Sequence, residues 1–214
     1  MALEKNSSAE ATVPAAEEDR IDYAGKKIGM WLFLFTELLF FGGMFLLYAV
    51  YRSRYPAEFH SAAQEENLLL GSINTMILLT SSLTIAFAIA AIKKGNRRLS
   101  SLMQMTTILF AGCFLIIKYI EWGAKISKGI YPNSPILLAQ EKGDILFFSL
   151  YFVMTGIHGF HVIFGIIVIA IMLFYTRRGI IDKDSFVKLE NTGLYWHFVD
   201  IVWIYLFPLF YLIT

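Results

Sequence analysis

Charge is scarce in this sequence. Lysine, arginine, aspartate and glutamate make up 16% of its 214 residues, against about 25% in an average soluble domain. The net charge of +1 argues against a nucleic-acid partner, which calls for a clustered basic footprint. Cysteine occurs once, as Cys113 inside an apolar run, so a disulfide framework and a thiolate metal site are both excluded. Internal repeats are missing too, which weakens a transporter reading built on inverted repeats. The first twenty residues lack the basic start and apolar stretch of a signal peptide. Their acidic residues, Glu10, Glu17, Glu18 and Asp19, also disfavour a mitochondrial transit peptide. Residues 1–25 are read as a disordered cytoplasmic tail.

Apolar residues are what the chain has in excess, 57% of the total, with 16% aromatic. A chain of this length cannot hide so much apolar surface in one aqueous core, and a bilayer is the simpler solvent. A span needs about 20 apolar residues to cross a hydrocarbon core of about 30 Å. Five stretches qualify: Ile28–Tyr51, Gly71–Ile92, Leu99–Trp122, Ile145–Thr176 and Gly193–Thr214. The predicted fold is all-α, an integral membrane bundle of five transmembrane helices over residues 26–214. The fourth stretch is longer than needed, so it tilts or projects from the membrane.

Positive charge orients the bundle. The N-terminal tail with the second and fourth loops carries twelve Lys and Arg residues, and the first and third loops carry five. The rule that cytoplasmic loops are positive places the N-terminus in the cytoplasm and the C-terminus outside. The first outer loop, Arg52–Leu70, is expected to form a short surface helix. The run Gly129-Ile130-Tyr131-Pro132-Asn133-Ser134-Pro135 marks an irregular turn, and Asp144 is placed to cap the fourth span.

Ionisable groups in a bilayer are costly and face a bundle interior or a water path. Glu37 lies ten residues beyond Lys27, roughly 15 Å along a helix, and Asp200 lies as far beyond Glu190. His161 falls at a comparable depth on the fourth span, so these groups are expected to meet inside the bundle. His158 and His161 share a helical face by their spacing of three, as do His197 and Asp200. Trp196, Asp200 and Trp203 form a stripe. Gly42-Gly43 and Gly156, Gly159 and Gly165 would permit close helix approach. Asn74 and Thr75 open the second span and Thr80-Ser81-Ser82 continue it, all read as packing groups. Glu121 falls near the outer surface with Lys118 one turn earlier as an ion-pair partner. The phenylalanines from Phe33 to Phe45 read as lipid-facing or packing surface. Interhelical hydrogen bonding is the default reading of the polar set, with a proton-active or metal-binding site as the alternative. His-x-x-His is a weak metal signal, and the paired Glu-x-x-His of di-iron bundles is absent.

These residues sit in segments that resemble a known family. Trp196-His197-Phe198-Val199-Asp200-Ile201-Val202-Trp203 resembles the last-helix signature of cytochrome c oxidase subunit III. Thr155-Gly156-Ile157-His158-Gly159-Phe160-His161 resembles the preceding helix, and Thr36-Glu37-Leu38-Leu39-Phe40-Phe41-Gly42 the helix with the family's membrane-buried glutamate. Asn74-Thr75 and Glu121 match further family positions, in chain order. The resemblance is to the five-helix bacterial form. It implies a non-catalytic subunit in the bacterial inner membrane, packed against oxidase subunit I and associated with subunit II and with phospholipid. It also implies a role in sustained turnover and proton uptake. Haem and copper are expected in the partner subunits, with no cofactor, metal or catalytic residue in this chain. Four histidines, one of them the loop residue His60, are too few for a haem-copper centre with a second haem. Cys113 alone cannot build a paired-cysteine copper site. Glu37, Asn74, Glu121, His158, His161, Trp196, His197, Asp200 and Trp203 are the expected buried structural residues. A quinol oxidase or a nitric-oxide-reductase-associated homologue would share the same signatures. An independent membrane enzyme or proton pathway using Glu37, His158, His161 and Asp200 is the reading from another class.

Overall fold

The computed structural model describes residues 15–183 and 185–213, with side chains from residue 24 onward. It holds seven helices among the described residues: α1 (Ala15–Arg54), α2 (Pro56–Gln64), α3 (Leu68–Lys93), α4 (Arg97–Ser127), α5 (Pro135–Leu138), α6 (Lys142–Arg178) and α7 (Val187–Tyr211). Five of them, α1, α3, α4, α6 and α7, are long and apolar enough to cross a membrane. The all-α reading and the five spans therefore stand. Helices are what a bilayer demands, because every backbone polar group must be satisfied within its own segment.

The observed ends differ from the expected ones in informative ways. α1 reaches back to Ala15, across residues 15–25 that were assigned to the tail, while residues 1–14 lie outside the described residues. α7 begins at Val187, six residues before Gly193. The polar residues Lys188, Glu190 and Asn191 lower the hydropathy of that first turn, but Glu190 is ion-paired there. α6 has 37 residues, roughly 55 Å at about 1.5 Å per residue, so it projects well beyond the hydrocarbon. It is capped by Gly179, whose φ of 75° suits a left-handed helix end. Its N-cap is Glu141 rather than Asp144, which lies inside the first turn. The surface helix in the first outer loop is α2, which also contains His60.

Helices α3, α4, α6 and α7 close a four-membered ring, each packed on two neighbours. Helix α1 stands outside it against α6 and α7, and α2 covers one end by packing on α6, α7 and α1. The core of the ring is aromatic. Trp196, Trp203, Phe114 and Tyr151 are fully buried in it, and Phe114 meets Trp203 edge-on at 4.9 Å between ring centres. Gly165 is one position where glycine is required, since a Cβ there would stand 2.6 Å from the Trp196 ring. Gly42 and Gly43 have no such role. A Cβ on either meets nothing within 4 Å, as it does at Gly159, because no helix among the described residues packs on that side.

At the lysine-rich end, Glu190 binds Lys27 of α1 at 2.7 Å and Lys93 of α3. Asn191 donates to the Lys26 carbonyl at 3.2 Å. One carboxylate on α7 thus fastens the feet of α1 and α3. The turn between α3 and α4 is set by Gly95, with φ of 77°, and by Asn96, whose Oδ1 accepts from the Leu99 N–H at 3.1 Å.

Candidate functional site: the buried polar groups

The expected polar set is present but does not form one cluster. A spacing of three leaves two side chains about 60° apart around a helix axis, and on α6 that is enough to send His158 and His161 to different neighbours. His161 faces α1. Its Nε2 lies 3.1 Å from Glu37 Oε2 and its Nδ1 2.9 Å from the Ile157 carbonyl. A carbonyl can only accept, so Nδ1 carries a proton and donates it. Nε2 then either accepts a proton from Glu37 or, as imidazolium, donates to the carboxylate. In both forms the pair shares one proton between α1 and α6. Phe41 stacks edge-on against the imidazole at 5.1 Å, and Tyr195 of α7 donates to the His161 carbonyl at 3.1 Å.

His158 points instead into the ring, between Phe114 at 5.6 Å and Trp203 at 5.3 Å. It is wholly buried, and neither ring nitrogen has a hydrogen-bond partner among the described residues. Asn74 on α3 is buried in the same way, with both amide atoms unpartnered. Asp200 on α7 likewise keeps two buried oxygens without a partner. The neighbouring Ser82 hydroxyl is held by His197 Nδ1 at 2.5 Å. The expected meeting of Glu37, the two histidines and Asp200 therefore reduces to the single contact of Glu37 with His161.

The tryptophans of α7 act as ties to α3. Trp196 Nε1 donates to Ser81 Oγ and Trp203 Nε1 to Thr75 Oγ1, each at 3.0 Å. Such hydrogen bonds replace partners that hydrocarbon cannot supply. The stripe of Trp196, Asp200 and Trp203 is buried along its whole length.

Lys118 and Glu121 do pair, at 2.9 Å, and both are buried within the bundle toward the C-terminal end of α4. The reason is cover from other helices. Lys118 Nζ donates to Tyr211 of α7 at 2.7 Å and to Tyr151 of α6 at 3.1 Å, and Tyr211 donates on to Glu121 Oε1 at 2.5 Å. One turn beyond, Lys125 pairs with Glu66 at 2.8 Å, with almost none of either side chain exposed. Glu66 comes from the short link between α2 and α3, so this pair clamps the surface helix to the bundle. Burial pushes the Glu66 carboxyl up to about 7, against the pull of Lys125. The spacing of Lys118 and Glu121 on one helical face was visible, whereas Lys125 was counted to the loop after the span, and α4 carries it instead. Glu66, Tyr151 and Tyr211 were not visible as partners, because they arrive from other segments.

What this arrangement can do is limited. Among the described residues no three His, Cys, Asp or Glu side chains converge as a metal would require. The Glu37–His161 pair can hold and pass a proton, Trp196, Trp203, His197, Lys118 and Lys125 tie one segment to another, and His158, Asn74 and Asp200 lie buried without a hydrogen-bond partner among the described residues.

The family model described as cytochrome c oxidase subunit III matches residues 3–214 of the chain. A cytochrome c oxidase subunit 3 of Thermostichus vulcanus is 31% identical over 87% of each chain. A cytochrome bo(3) ubiquinol oxidase subunit 3 of Pseudomonas putida is 31% identical over 87% of this chain and 84% of its own length. A heme-copper oxidase subunit I+III of Aeropyrum pernix is 30% identical over 86% of this chain, which corresponds to 22% of that longer polypeptide.

Proposed function

The chain belongs to the cytochrome c oxidase subunit III family, and we propose that it is the subunit of its oxidase that stabilises catalytic subunit I and assists its proton uptake, without itself transferring electrons. It is a multi-pass membrane protein and a subunit III of the haem-copper oxidases, a class that includes quinol-oxidising members. Membership implies a complex with subunit I. The relative whose name joins I and III in one polypeptide supports a direct contact between the two. Subunit II, haem and copper belong to the partner chains in this reading, and the electron donor is chosen there as well.

The observation that carries the proposal is the distribution of polar groups. Several of them join one helix to another, and in the Glu37–His161 pair a carboxylate and an imidazole from two different spans share a proton. The excess of lysine and arginine at one end supports a cytoplasmic position for that end, and in this reading the membrane is the bacterial inner membrane. Phospholipid around the bundle fits the exposed apolar faces of α1, such as Leu38 and Leu39. The proposal predicts that the chain migrates on a native gel with a band that stains for haem. Migration with no haem-containing partner would end it.

A further inference from the structure

Three residues join α2 to α3, and two of them serve the helix ends. The Glu65 N–H closes α2 on the Ala62 carbonyl at 3.2 Å, and Asn67 Oδ1 caps α3 by accepting from the Leu70 N–H at 3.1 Å. Glu66, between them, turns inward. None of its side chain is exposed, although Glu65 and Asn67 on either side are. A carboxylate is almost never so buried unless it is paired. Lys125 stands 2.8 Å from Oε1, while Oε2 has no hydrogen-bond partner among the described residues. Burial holds the carboxyl up at about 7, against the pull of Lys125.

The other groups facing Glu66 are already committed. Glu121 and Lys118 of α4 hold each other and Tyr211 of α7, and Tyr151 of α6 accepts from Lys118. The Lys125 ammonium lies over the rings of Phe148 and Tyr151, 5.2 Å from each centre, so its charge is also stabilised by the aromatic faces. A proton is what fits the free oxygen of Glu66. It can arrive by way of a cavity of about 190 Å³ that runs from the exposed Glu65 and Lys128 to the buried Lys125 and Glu121.

What the link holds down is α2. Its nine residues are too few for a helix that stands alone. It is seated by Phe59, edge-on to Tyr48 of α1 at 5.4 Å and to Phe147 of α6 at 5.5 Å. A second group of carboxylates lies at the α2–α6 contact, where Glu58 rests on Gly143 and faces Asp144, with Glu65 and Glu141 nearby. We propose that Glu66 makes the α2–α3 link a proton-operated latch: its neutral carboxyl suits the buried site and keeps α2 down on α1 and α6, and loss of the proton leaves a buried charge that loosens the helix. The closed link binds the proton more tightly than an open, hydrated one. Opening therefore rises as pH climbs from the ordinary glutamate value of about 4.3 towards about 7, and levels off above it. In the proposed orientation this end of the bundle faces out of the cell, so the latch responds to the pH outside. It shares no residue with the Glu37–His161 pair and stands or falls separately from the functional reading.

Hydrogen–deuterium exchange of the α2 amides, read by mass spectrometry on the protein in detergent with its bound partners, tests this. Divided by the rate of free amides at each pH, exchange over α2 rises about tenfold or more between about pH 5 and about pH 7. Glu66→Gln, which is neutral at every pH, removes the rise. Lys125→Met takes away the cation that favours the charged form and moves the levelling-off to higher pH. Asp144→Asn leaves the parent profile in place, because that carboxyl belongs to the other group. A flat profile in the parent overturns the proposal. So does a rise that survives in Glu66→Gln, a levelling-off that Lys125→Met does not move, or a rise lost in Asp144→Asn. Should Lys125→Met fail to assemble, Glu66→Gln carries the measurement, because it keeps the size and shape of the neutral acid.

Discussion

Lys118 is an ammonium group in the middle of a protein that is itself in a membrane, and its surroundings show how that is tolerated. A buried ion pair gains stability only when its remaining hydrogen-bonding capacity is met. Glu121, Tyr151 and Tyr211 fill the three donor positions of the lysine. Removing one partner strands the other. Lys118→Met is expected to destabilise the folded chain by about 3–5 kcal/mol, and Lys118→Met with Glu121→Leu to recover most of that loss. Thermal unfolding in detergent reads both, and a single variant as stable as the parent would sink the argument. Glu66 gives a second, pH-dependent case outside the spans. Its carboxyl stands near 7 in the fold, against an ordinary glutamate value of about 4.3. Through that window the folded chain binds more protons than the unfolded one, so stability falls as pH rises. Glu66→Gln should flatten this part of the profile. The comparison is melting temperature of parent and variant between about pH 5 and about pH 8, and parallel curves would refute it.

Among the elements, α1 is the loosest. Of its most apolar stretch 11% is buried inside the protein, against 56% for α7. Its polar ties are the Glu37–His161 pair, the Lys27–Glu190 ion pair, the Asn191 hydrogen bond to the Lys26 carbonyl and the Tyr48 hydroxyl donated to the Leu209 carbonyl. Local opening follows contact density. In the isolated chain, amide exchange in α1 should therefore outrun exchange in α6 and α7, as hydrogen–deuterium exchange measured by mass spectrometry can show, and uniform protection across the five spans would contradict it. The spans themselves were legible because a bilayer enforces a run of apolar residues. Their ends were less so. The first turn of α7 is polar enough to look like a loop, yet Glu190 meets two lysines there, and that pairing lies outside any local pattern. Gly42-Gly43 misled for the opposite reason. Glycine allows close approach, but whether a helix comes close is decided elsewhere in the chain. The two histidines of α6 share a face only in the coarse sense, and one step around the helix separates an apolar ring from a partner on α1.

At the scale of the whole molecule, the candidate site is a set of junctions. The family signatures were readable as text, since Glu37, His158, His161 and the Trp196–Trp203 stretch stand in the expected order. Their partners on other helices, Ser81, Ser82 and Thr75 for the α7 residues, were readable only as generic packing groups. The reading of this chain as a support for subunit I makes one further demand. Glu37→Ala removes the shared proton between α1 and α6 and leaves His161 short of a partner. The oxidase carrying it should lose the subunit more readily during purification, or inactivate faster during turnover, while its haem spectra stay unchanged. Loss of a haem signal with the subunit still bound would count against the reading.

The placement of α1 outside the ring also bears on how the protein is made. Helix α1 packs on α6 and α7, which come later in the chain than α3 and α4, and makes no packing contact with α3 or α4 among the described residues. Its resting place does not exist until α6 and α7 have been made, and the carboxylate that fastens its foot, Glu190, lies on the later of the two. During biogenesis α1 must wait in lipid without these neighbours, open to capture by another polypeptide, until α7 arrives to collect it.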